Sequence, residues 1–531
     1  MTTKLVLREL SRYPVGTFAD IIYRNALLFP DREAFVTGSQ RISFSEFNLS
    51  VNQLIHGLQA LGFKKGDVIG ILSWNRMEYC EVFGAAMKGG AVLAHFNPRL
   101  QPEELIHVIN DSQARFMFLG DEFVEIVDAI REQLTSTHIF FVFGNEIKSL
   151  RAYQHLLKNQ SAKEPAAKVN PDDPLVIFYT SGTTGTPRGA IYTHAQKMEN
   201  TCVKALDIGV EFGDRHLVVL PMFHIGGDSH IWPFFLKGGC NVIMPEHSFD
   251  PVAALQTIVE ERITDIHIVP TQLVSLLNLP DIDSYDLGQL KRVWYAASPM
   301  PTEVLKRGLS VFGPIFIQGY GLTESGPHST ILNQASHRLP SPSDPDPGVL
   351  ASCGQPCVGV QMRIIDEDGS DLEAGIIGEI LIKSKRIMAG YWRNSDATTK
   401  AIKDGWLYTG DMGYYDEKGY IYIADRKKDM IVTGGENVYP KEVEEVLYRH
   451  SAVCEAAVIG IPDEYWVERV HALVVLREGA QATAEEVIDF CRKQIAHYKA
   501  PKGVDFVDSL PKSPQGKILK KEIRKRYEAK K

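Results

Sequence analysis

A layered α/β fold is what this 531-residue sequence predicts: a large N-terminal domain of two α/β subdomains, a small antiparallel β piece after them, and a small α+β domain at the C-terminal end. Three observations carry the prediction. The length exceeds one ordinary core, and about one domain per 150 residues suggests roughly three units. From Lys65 onward short apolar runs alternate with amphipathic segments, the rhythm of parallel strands joined by helices. After the Pro- and Asp-rich stretch "SPSDPDPG" that rhythm gives way to short paired strands.

Taken in order, "VIGIL", "AVLAHF" and "ARFMFL" read as strands, with "EYCEVFGAAMKGG" and "PEELIHVIND" as the helices between them. The pattern resumes after "SAKEPAAKVNPDDP" with the strands "LVIFYT", "LVVLPM", "NVIMP", "IHIVP", "VWYAA" and "IFIQGY". "DPVAALQTIVEERI" reads as a helix with Asp250 as N-cap, Pro251 in its first turn, and Val252, Leu255, Ile258 and Val259 on one face. "GEILIKS" and "GYYDEKGYIYIAD" are short strands with a Gly-containing turn, hence antiparallel. The helix "PKEVEEVLYRH", with a Val443, Val446, Leu447 stripe, opens a last region of independent-domain size. The basic tail "LKKEIRKRYEAKK" reads as a solvated terminal helix.

Composition narrows the function classes. With 44% hydrophobic and 23% charged residues the chain is globular, and its net charge of -9 argues against a nucleic-acid partner, whose binding face is strongly basic. No run approaches the roughly 18 apolar residues of a membrane span, and the start lacks a secretory core, so a cytoplasmic location is expected. Seven cysteines, an odd number, fit reduced thiols better than a disulfide framework. "CGQPC" at Cys353–Cys357 lacks the second pair that a zinc site needs.

Several segments carry candidate chemistry. "YTSGTTGTPRGA", from Tyr179 to Ala190, follows an apolar run and is rich in Gly, Thr and Ser, as a polyphosphate cradle would be. It fits neither familiar fingerprint: the second P-loop glycine falls on Pro187 or Ala190, and the dinucleotide glycine pair is missing. On its own the loop reads equally as an anion holder or a flexible surface turn. "QGYGLTES" follows the strand "PIFI", so Tyr320, Thr323 and Glu324 are expected just past a strand's carboxyl end, where open α/β sheets bind ligands. An aromatic ring there stacks on a base, a hydroxyl bonds phosphate and a carboxylate holds Mg²⁺. Asp411 in "WLYTGD" is an acid suited to two ribose hydroxyls. "LPMFHIGGDSH" places His224, Asp228 and His230 together, but without a further ligand at diagnostic spacing for a metal.

At this point the sequence resembles the adenylate-forming superfamily of acyl-CoA synthetases, luciferases and peptide-synthetase adenylation domains. The likeness runs from about Thr17 to Lys521, with "YTSGTTGTPRG", "YAASP", "QGYGLTES", "YTGD", "DRKKDMIVTGGENVYP" and "PKSPQGKILK" in order. It implies that Thr180, Ser181, Gly182, Thr183, Thr184, Gly185 and Arg188 hold the ATP phosphates. Ser298, Pro299 and Tyr320, with Gln318, Gly319 and Gly321, match the nucleotide-binding segments. Thr323 matches a phosphate contact, and Glu324, with Thr180, the Mg²⁺ site. Asp411 and Arg426 match the ribose contacts, and Lys517 the lysine that bridges substrate carboxylate and α-phosphate. Arg188 departs from the family's usual lysine but keeps the charge and adds a planar fork.

The resemblance also implies two domains, residues 1–427 and a mobile 428–531, with Lys428 at the hinge. Their rotation exchanges Lys517 for "TGGENVYP", whose Gly434, Gly435 and Glu436 flank a channel for the pantetheine arm of CoA. His224, Gly226 and Gly319 are expected at the acyl pocket, with Ile225, Ile231 and Trp232 lending it an apolar character. The expected activity is AMP-forming ligation of a hydrophobic acid, a medium- or long-chain fatty acid first and an aryl or alicyclic acid second. ATP and CoA are co-substrates and Mg²⁺ the cofactor. A non-catalytic nucleotide or acyl-ligand sensor on this fold is the competing class, and a homodimer stays open.

Overall fold

The apolar runs become strands of two large sheets, in a computed structural model that describes residues 10, 12–147, 150–166, 168–180, 187–245, 248–339, 348–433, 436–463, 466–513 and 516–528. In the first, Val68–Leu72, Val92–Phe96, Ala114–Leu119 and Ile139–Val142 run parallel. Pro174–Thr180 joins this sheet beside Val92–Phe96 and then turns back antiparallel into Arg188–Thr193. Helices Phe44–Ala60 and Met77–Gly89 pack together, and Gly84 allows the contact, because a Cβ there would come within 2.7 Å of Val51.

The second sheet has a parallel centre of Cys240–Ile243, Arg215–Val218, Asp265–Ile268, Arg292–Tyr295 and Phe316–Leu322. Its far edge is Glu33–Thr37 and Gln40–Ser43, which precede the first sheet in sequence yet pair with the second. A rhythm read from Lys65 onward could not reveal that long-range exchange. The helix Pro251–Glu260 is capped by Asp250, whose side chain accepts from the Val252 and Ala253 amides, as expected. Its buried face is Ala254, Leu255 and Ile258, whereas Val252 is 39% exposed. The stripe starts one residue-pair later than the apolar spacing suggests, because the first turn sits clear of the sheet while its amides are held by the cap.

Two smaller sheets follow. Val360–Ile365, Gly378–Ser384 and Trp406–Tyr415 are antiparallel, and Ile421–Arg426 pairs with Trp406–Tyr415. Gly354 lies just before Gln355–Pro356, the edge strand of the second sheet that precedes the third. Its φ is +84° and a Cβ would fall 2.0 Å from the Ile331 carbonyl, a backbone that cannot yield. Gly354→Ala is therefore expected to cost about 3 kcal/mol or more. Calorimetry checks this, and an unchanged unfolding midpoint would contradict it.

The fourth sheet begins at Ile431–Thr433 and contains Val453–Asp463 and Val467–Leu476 antiparallel, with Gly503–Phe506 parallel to the latter. Val443, Val446 and Leu447 of helix Pro440–Tyr448 pack on it in one core with Val487 and Cys491 of Ala484–Arg492. Between Arg426, the end of the third sheet, and Ile431 stands a short turn in which Lys427 and Lys428 are exposed. The tail is not a freely solvated helix. Ile523 is fully buried against Ala457, Ile459 and Leu473, and Lys520 bridges Glu444 at 2.9 Å and Asp425 at 3.7 Å, while Arg524 pairs with Asp429 at 2.7 Å. The cysteines are free thiols. Among the described residues no helix is long and apolar enough to cross a membrane.

Candidate active site

The carboxyl ends of the central strands of the second sheet carry the segments from which nucleotide contacts are expected. After Arg292–Tyr295 the backbone enters an unusual conformation, Ala297 with φ +73°, before Ser298 and the exposed Pro299. A non-glycine residue held there is the kind of local strain that tertiary structure must enforce. Tyr320 is not past its strand, as the sequence suggests, but inside Phe316–Leu322, because that strand continues through an irregular register into a hairpin with Gly326–Leu332. Gln318, Gly319 and Gly321 lie on the same strand, and Thr323 and Glu324 occupy the hairpin turn. The turn is set by the Leu322 amide donating to Ser325 Oγ at 2.8 Å and by Gly326 at φ +89°.

Across from this strand, Asp411 and Arg426 face each other in register on adjacent strands. Tyr320 donates its hydroxyl to Asp411 Oδ2 at 2.8 Å, and Arg426 Nε lies 2.5 Å from Asp411 Oδ1. The Asp411 side chain is only 4% exposed. Burial pushes its carboxyl above the usual range, against the pull of the Arg426 charge and the Tyr320 hydrogen bond. An ionised acid held in such a place is suited to accepting two vicinal hydroxyls.

The loop that fits neither phosphate fingerprint joins antiparallel strands rather than a strand to a helix, so it offers no helix N-terminus. Ser181, Gly182, Thr183, Thr184 and Gly185 lie outside the described residues. At its base Thr180 pairs with Arg188, and Thr180 Oγ1 lies 3.4 Å from Glu324 Oε1. Tyr391, which the sequence reading did not single out, donates to the same Glu324 oxygen at 2.9 Å, with the Arg188 guanidinium 5.7 Å from its ring centre. The Glu324 carbonyl accepts from the Met388 amide at 2.9 Å, and the Thr323 carbonyl accepts from the Tyr192 hydroxyl. Glu324 and Thr180 thus present oxygen ligands of the kind that a hard cation prefers. Because Arg188 acts by charge beside an aromatic face, Arg188→Lys is expected to change turnover by less than about threefold. A collapse in steady-state rate would reveal a further role.

Lys517 reaches this region from the small domain. The Gly516 carbonyl accepts from Thr271 Oγ1 at 3.4 Å, and the φ of +74° at Gly516 allows the turn. Ser513 steadies it, its amide donating to the Lys517 carbonyl at 2.6 Å. The Lys517 residue keeps exposed surface, yet protein atoms crowd its ammonium enough to favour loss of the proton, as does the Arg426 charge. Asp411 and Asp429 oppose them. On the other side, burial pushes His224 down to about 4, with the Lys517 charge adding to the effect, so its ring is neutral near pH 7.

His224 caps the helix Ile225–Leu236, its Nδ1 accepting from the Gly226 amide at 3.1 Å. Gly226 stands between His224 and His267, and His267 Nδ1 lies 3.1 Å from the Gly226 carbonyl. Gly319 packs on Trp294, where a Cβ would come within 2.4 Å. Ile231 and Trp232 face the other way, into the core with Phe18 and Phe83. Ile225, like Ile231 and Trp232, belongs to that core, and across Gly226 from His224 stands His267. Asp228 and His230 do not form a metal cluster with His224, since Asp228 is paired with Lys197 and bonded by Trp232 at 2.8 Å. Among the described residues, Asp207, His328 and Cys357 have ligand atoms within 4.8 Å of one another, but the buried Arg386 beside Cys357 disfavours a cation. Glu436 is exposed at the start of Glu436–Val438, and Gly434 and Gly435 lie outside the described residues.

This geometry agrees with what the chain is similar to. The family model "AMP-binding enzyme" matches residues 22–392, and "AMP-binding enzyme C-terminal domain" matches residues 442–517. The fatty acid–[acyl-carrier-protein] ligase ScoC of Streptomyces coeruleorubidus is 35% identical over 502 residues, which is 94% of each chain. The long-chain-fatty-acid–CoA ligase FadD13 of Mycobacterium tuberculosis is 33% identical over 518 residues, covering 96% of this chain and 98% of the relative. The crystal structure of the anthranilate CoA ligase AuaEII in complex with anthranoyl-AMP superposes with a TM-score of 0.90 at 27% identity, covering 98% of this chain and 99% of that one. Matched over most of its length by the family models and over nearly all of it by these relatives, the chain belongs to the AMP-binding enzyme family.

Proposed function

We propose that the protein is an AMP-forming acyl-CoA ligase. The observation that carries this reading is the Gly516 turn of the small domain seated on Thr271 of the large one, which brings Lys517 within electrostatic reach of Asp411, Arg426 and His224. A carboxylate is a poor acyl donor because its leaving group would be oxide. Its oxygen instead attacks the α-phosphorus of ATP, the bond to the bridging oxygen of pyrophosphate breaks, and a mixed anhydride with AMP forms. Asp411 and Arg426 orient the ribose, with Tyr320 supporting Asp411, and Ser298 and Pro299 border the base. Lys517 lies where charge develops between carboxylate and phosphate, a position in which a preorganised cation lowers the barrier. Glu324 and Thr180 would hold Mg²⁺, which when bound neutralises phosphate charge. Thr323, Arg188 and the loop they border receive the pyrophosphate.

In the second half-reaction a thiol sulfur attacks the acyl carbonyl, the carbonyl–phosphate bond breaks, AMP leaves and the thiol proton passes to solvent. With an unperturbed thiol pKa of about 8.5, some thiolate is present near neutral pH without a dedicated base. Lys517 obstructs that approach, so the domains 1–427 and 428–531 rotate about Lys428, presenting Gly434, Gly435 and Glu436 instead. The exposed turn at Lys427 and Lys428, flanked by separate sheets, supports a hinge there. CoA is the acceptor of this reading; the pantetheine of a carrier protein is the second, favoured by the resemblance to ScoC.

The acid is expected from the sequence to be fatty, with an aryl or alicyclic acid next, and fatty-acid and aryl-acid relatives support keeping both kinds in an assay. A panel of fatty, aryl and alicyclic acids with ATP, with and without CoA, tests the reaction. Acid-dependent pyrophosphate release followed by CoA-dependent thioester is the expected result. ATP binding without release for any acid would favour a sensor instead.

A further inference from the structure

Tyr391 touches two opposite charges at the base of the phosphate loop. Its hydroxyl donates to Glu324 Oε1 at 2.9 Å, and the Arg188 guanidinium carbon lies 5.7 Å from its ring centre. Thr180 Oγ1 comes to the same carboxylate oxygen at 3.4 Å. Both contacts fall on Oε1, and among the described residues no hydrogen bond falls on Oε2.

The backbone around Tyr391 is tied on three sides. The short strand Gly390–Tyr391 pairs antiparallel with Ala190 and Ile191, just past the loop. There the Ala389 amide donates to the Ile191 carbonyl at 2.9 Å and the Trp392 amide to the Gly189 carbonyl at 2.7 Å. On the second side the Met388 amide donates to the Glu324 carbonyl at 2.9 Å. On the third, the Tyr391 amide donates at 2.9 Å to Thr398 Oγ1, in the helix Ser395–Ala401 that Asn394 caps. The segment from Met388 to Trp392 therefore holds Glu324 at its carbonyl and at its carboxylate, and holds the far side of the loop at Gly189. The half-buried Tyr391 ring also packs against the large core.

A carboxylate offers a cation either oxygen or both, and which one it offers depends on what holds it. Two hydroxyls on Oε1 leave Oε2 as the oxygen turned to an arriving cation. Hydrogen bonds to a ligating carboxylate are a general means of keeping a metal ligand in place. We propose that Tyr391 is a positioning residue for the divalent cation that accompanies ATP. Its hydroxyl holds Glu324 with Oε2 presented, and its ring keeps the Arg188 guanidinium beside the phosphates. One side chain thus ties the place of the cation to the place of the phosphate-binding arginine. The inference rests on the reading of Glu324 and Thr180 as the Mg²⁺ site of an acid-activating ligase.

The test follows binding of α,β-methylene-ATP, which cannot be cleaved between its α- and β-phosphates, to the full-length protein by calorimetry over a range of Mg²⁺ concentrations. Tyr391→Phe keeps the ring and removes one oxygen. Its half-saturating Mg²⁺ should rise by about 10-fold, the lower end for losing a hydrogen bond to a metal ligand, because Thr180 still holds Oε1. Saturating Mg²⁺ should bring its affinity for the analogue back to within about threefold of the parent's. A residue that served the fold alone would weaken binding by the same factor at every Mg²⁺ concentration. Tyr391→Leu, which removes the ring as well, should add a loss of about 2- to 5-fold in the inhibition of acyl-AMP formation by pyrophosphate, the worth of a cation–π contact.

An unchanged or lowered Mg²⁺ requirement in Tyr391→Phe would overturn the inference. So would a Tyr391→Phe protein that does not fold, by circular dichroism and thermal unfolding, since Tyr391 would then belong to the fold. Either result leaves the ligase reading standing while the parent protein releases pyrophosphate with an accepted acid. Absence of that release with every acid would instead overturn the ligase reading, and the Mg²⁺ dependence of analogue binding would still decide for or against Tyr391.

Discussion

Lys517→Ala should lower acid-dependent pyrophosphate release by about 10³-fold, while thioester formation from supplied acyl-adenylate should stay largely intact. The asymmetry follows from where Lys517 stands. It belongs to the small domain, is carried towards the site on the Gly516 turn against Thr271, and comes within electrostatic reach of Asp411, Arg426 and His224 there. The small domain also touches the large one through polar contacts, such as the Thr302 amide donating to Glu445 Oε2 at 3.3 Å and Lys441 Nζ donating to the Ile423 carbonyl at 2.9 Å, and through Tyr448, which packs on the large domain's apolar core. Single-turnover measurement of each half-reaction checks the expectation. Equal loss of both would mean that Lys517 also serves the thiol step, or that its removal disturbs the site as a whole.

Asp411→Asn separates binding from stability. The buried carboxyl is held above its usual pKa, with burial outweighing Arg426 and Tyr320. A carboxyl of that kind stabilises the fold below its unfolded-state pKa, and the contribution is lost as pH rises through the folded-state value. Burying its charged form therefore weighs on the fold as pH rises. The amide keeps the shape and a hydrogen-bonding oxygen for Tyr320 but loses the charge that two ribose hydroxyls and Arg426 prefer. The KM for ATP should rise by about 10- to 100-fold, the worth of charge-assisted hydrogen bonds. The unfolding midpoint at pH 7 should not fall. A large drop in midpoint with unchanged KM would assign Asp411 to the fold instead of the nucleotide.

Much of this was legible because local chemistry and long motifs coincide. Asp250 announces its helix, the run "LVIFYT" its strand, and two pairs distant in the sequence come together, Thr180 with Glu324 and Tyr320 with Asp411. Tyr320 was misplaced relative to its strand because a parallel strand that continues into a hairpin has no end signal in its own residues. Glu33–Thr37 escaped notice because its partner, Cys240–Ile243, lies some two hundred residues away. Lys197 and Lys204 at helical spacing look like a solvated face, and a single sequence gives no sign that a second helix brings Asp228, Ser229 and His230 against them. Likewise His267 sits in the apolar run "IHIVP", where an inward histidine and a satisfied core histidine read alike. Ile231 and Trp232 were assigned to the pocket because they adjoin His224 in sequence, yet helical geometry turns them into the core.

Trapping the intermediate tests the central claim most directly. With ATP and an accepted acid, CoA withheld and the products resolved by mass spectrometry, the protein should release pyrophosphate and hold an acyl-AMP that CoA then converts to acyl-CoA and AMP. Formation of ADP and phosphate, or acid-independent ATP cleavage without an adenylate, would contradict it.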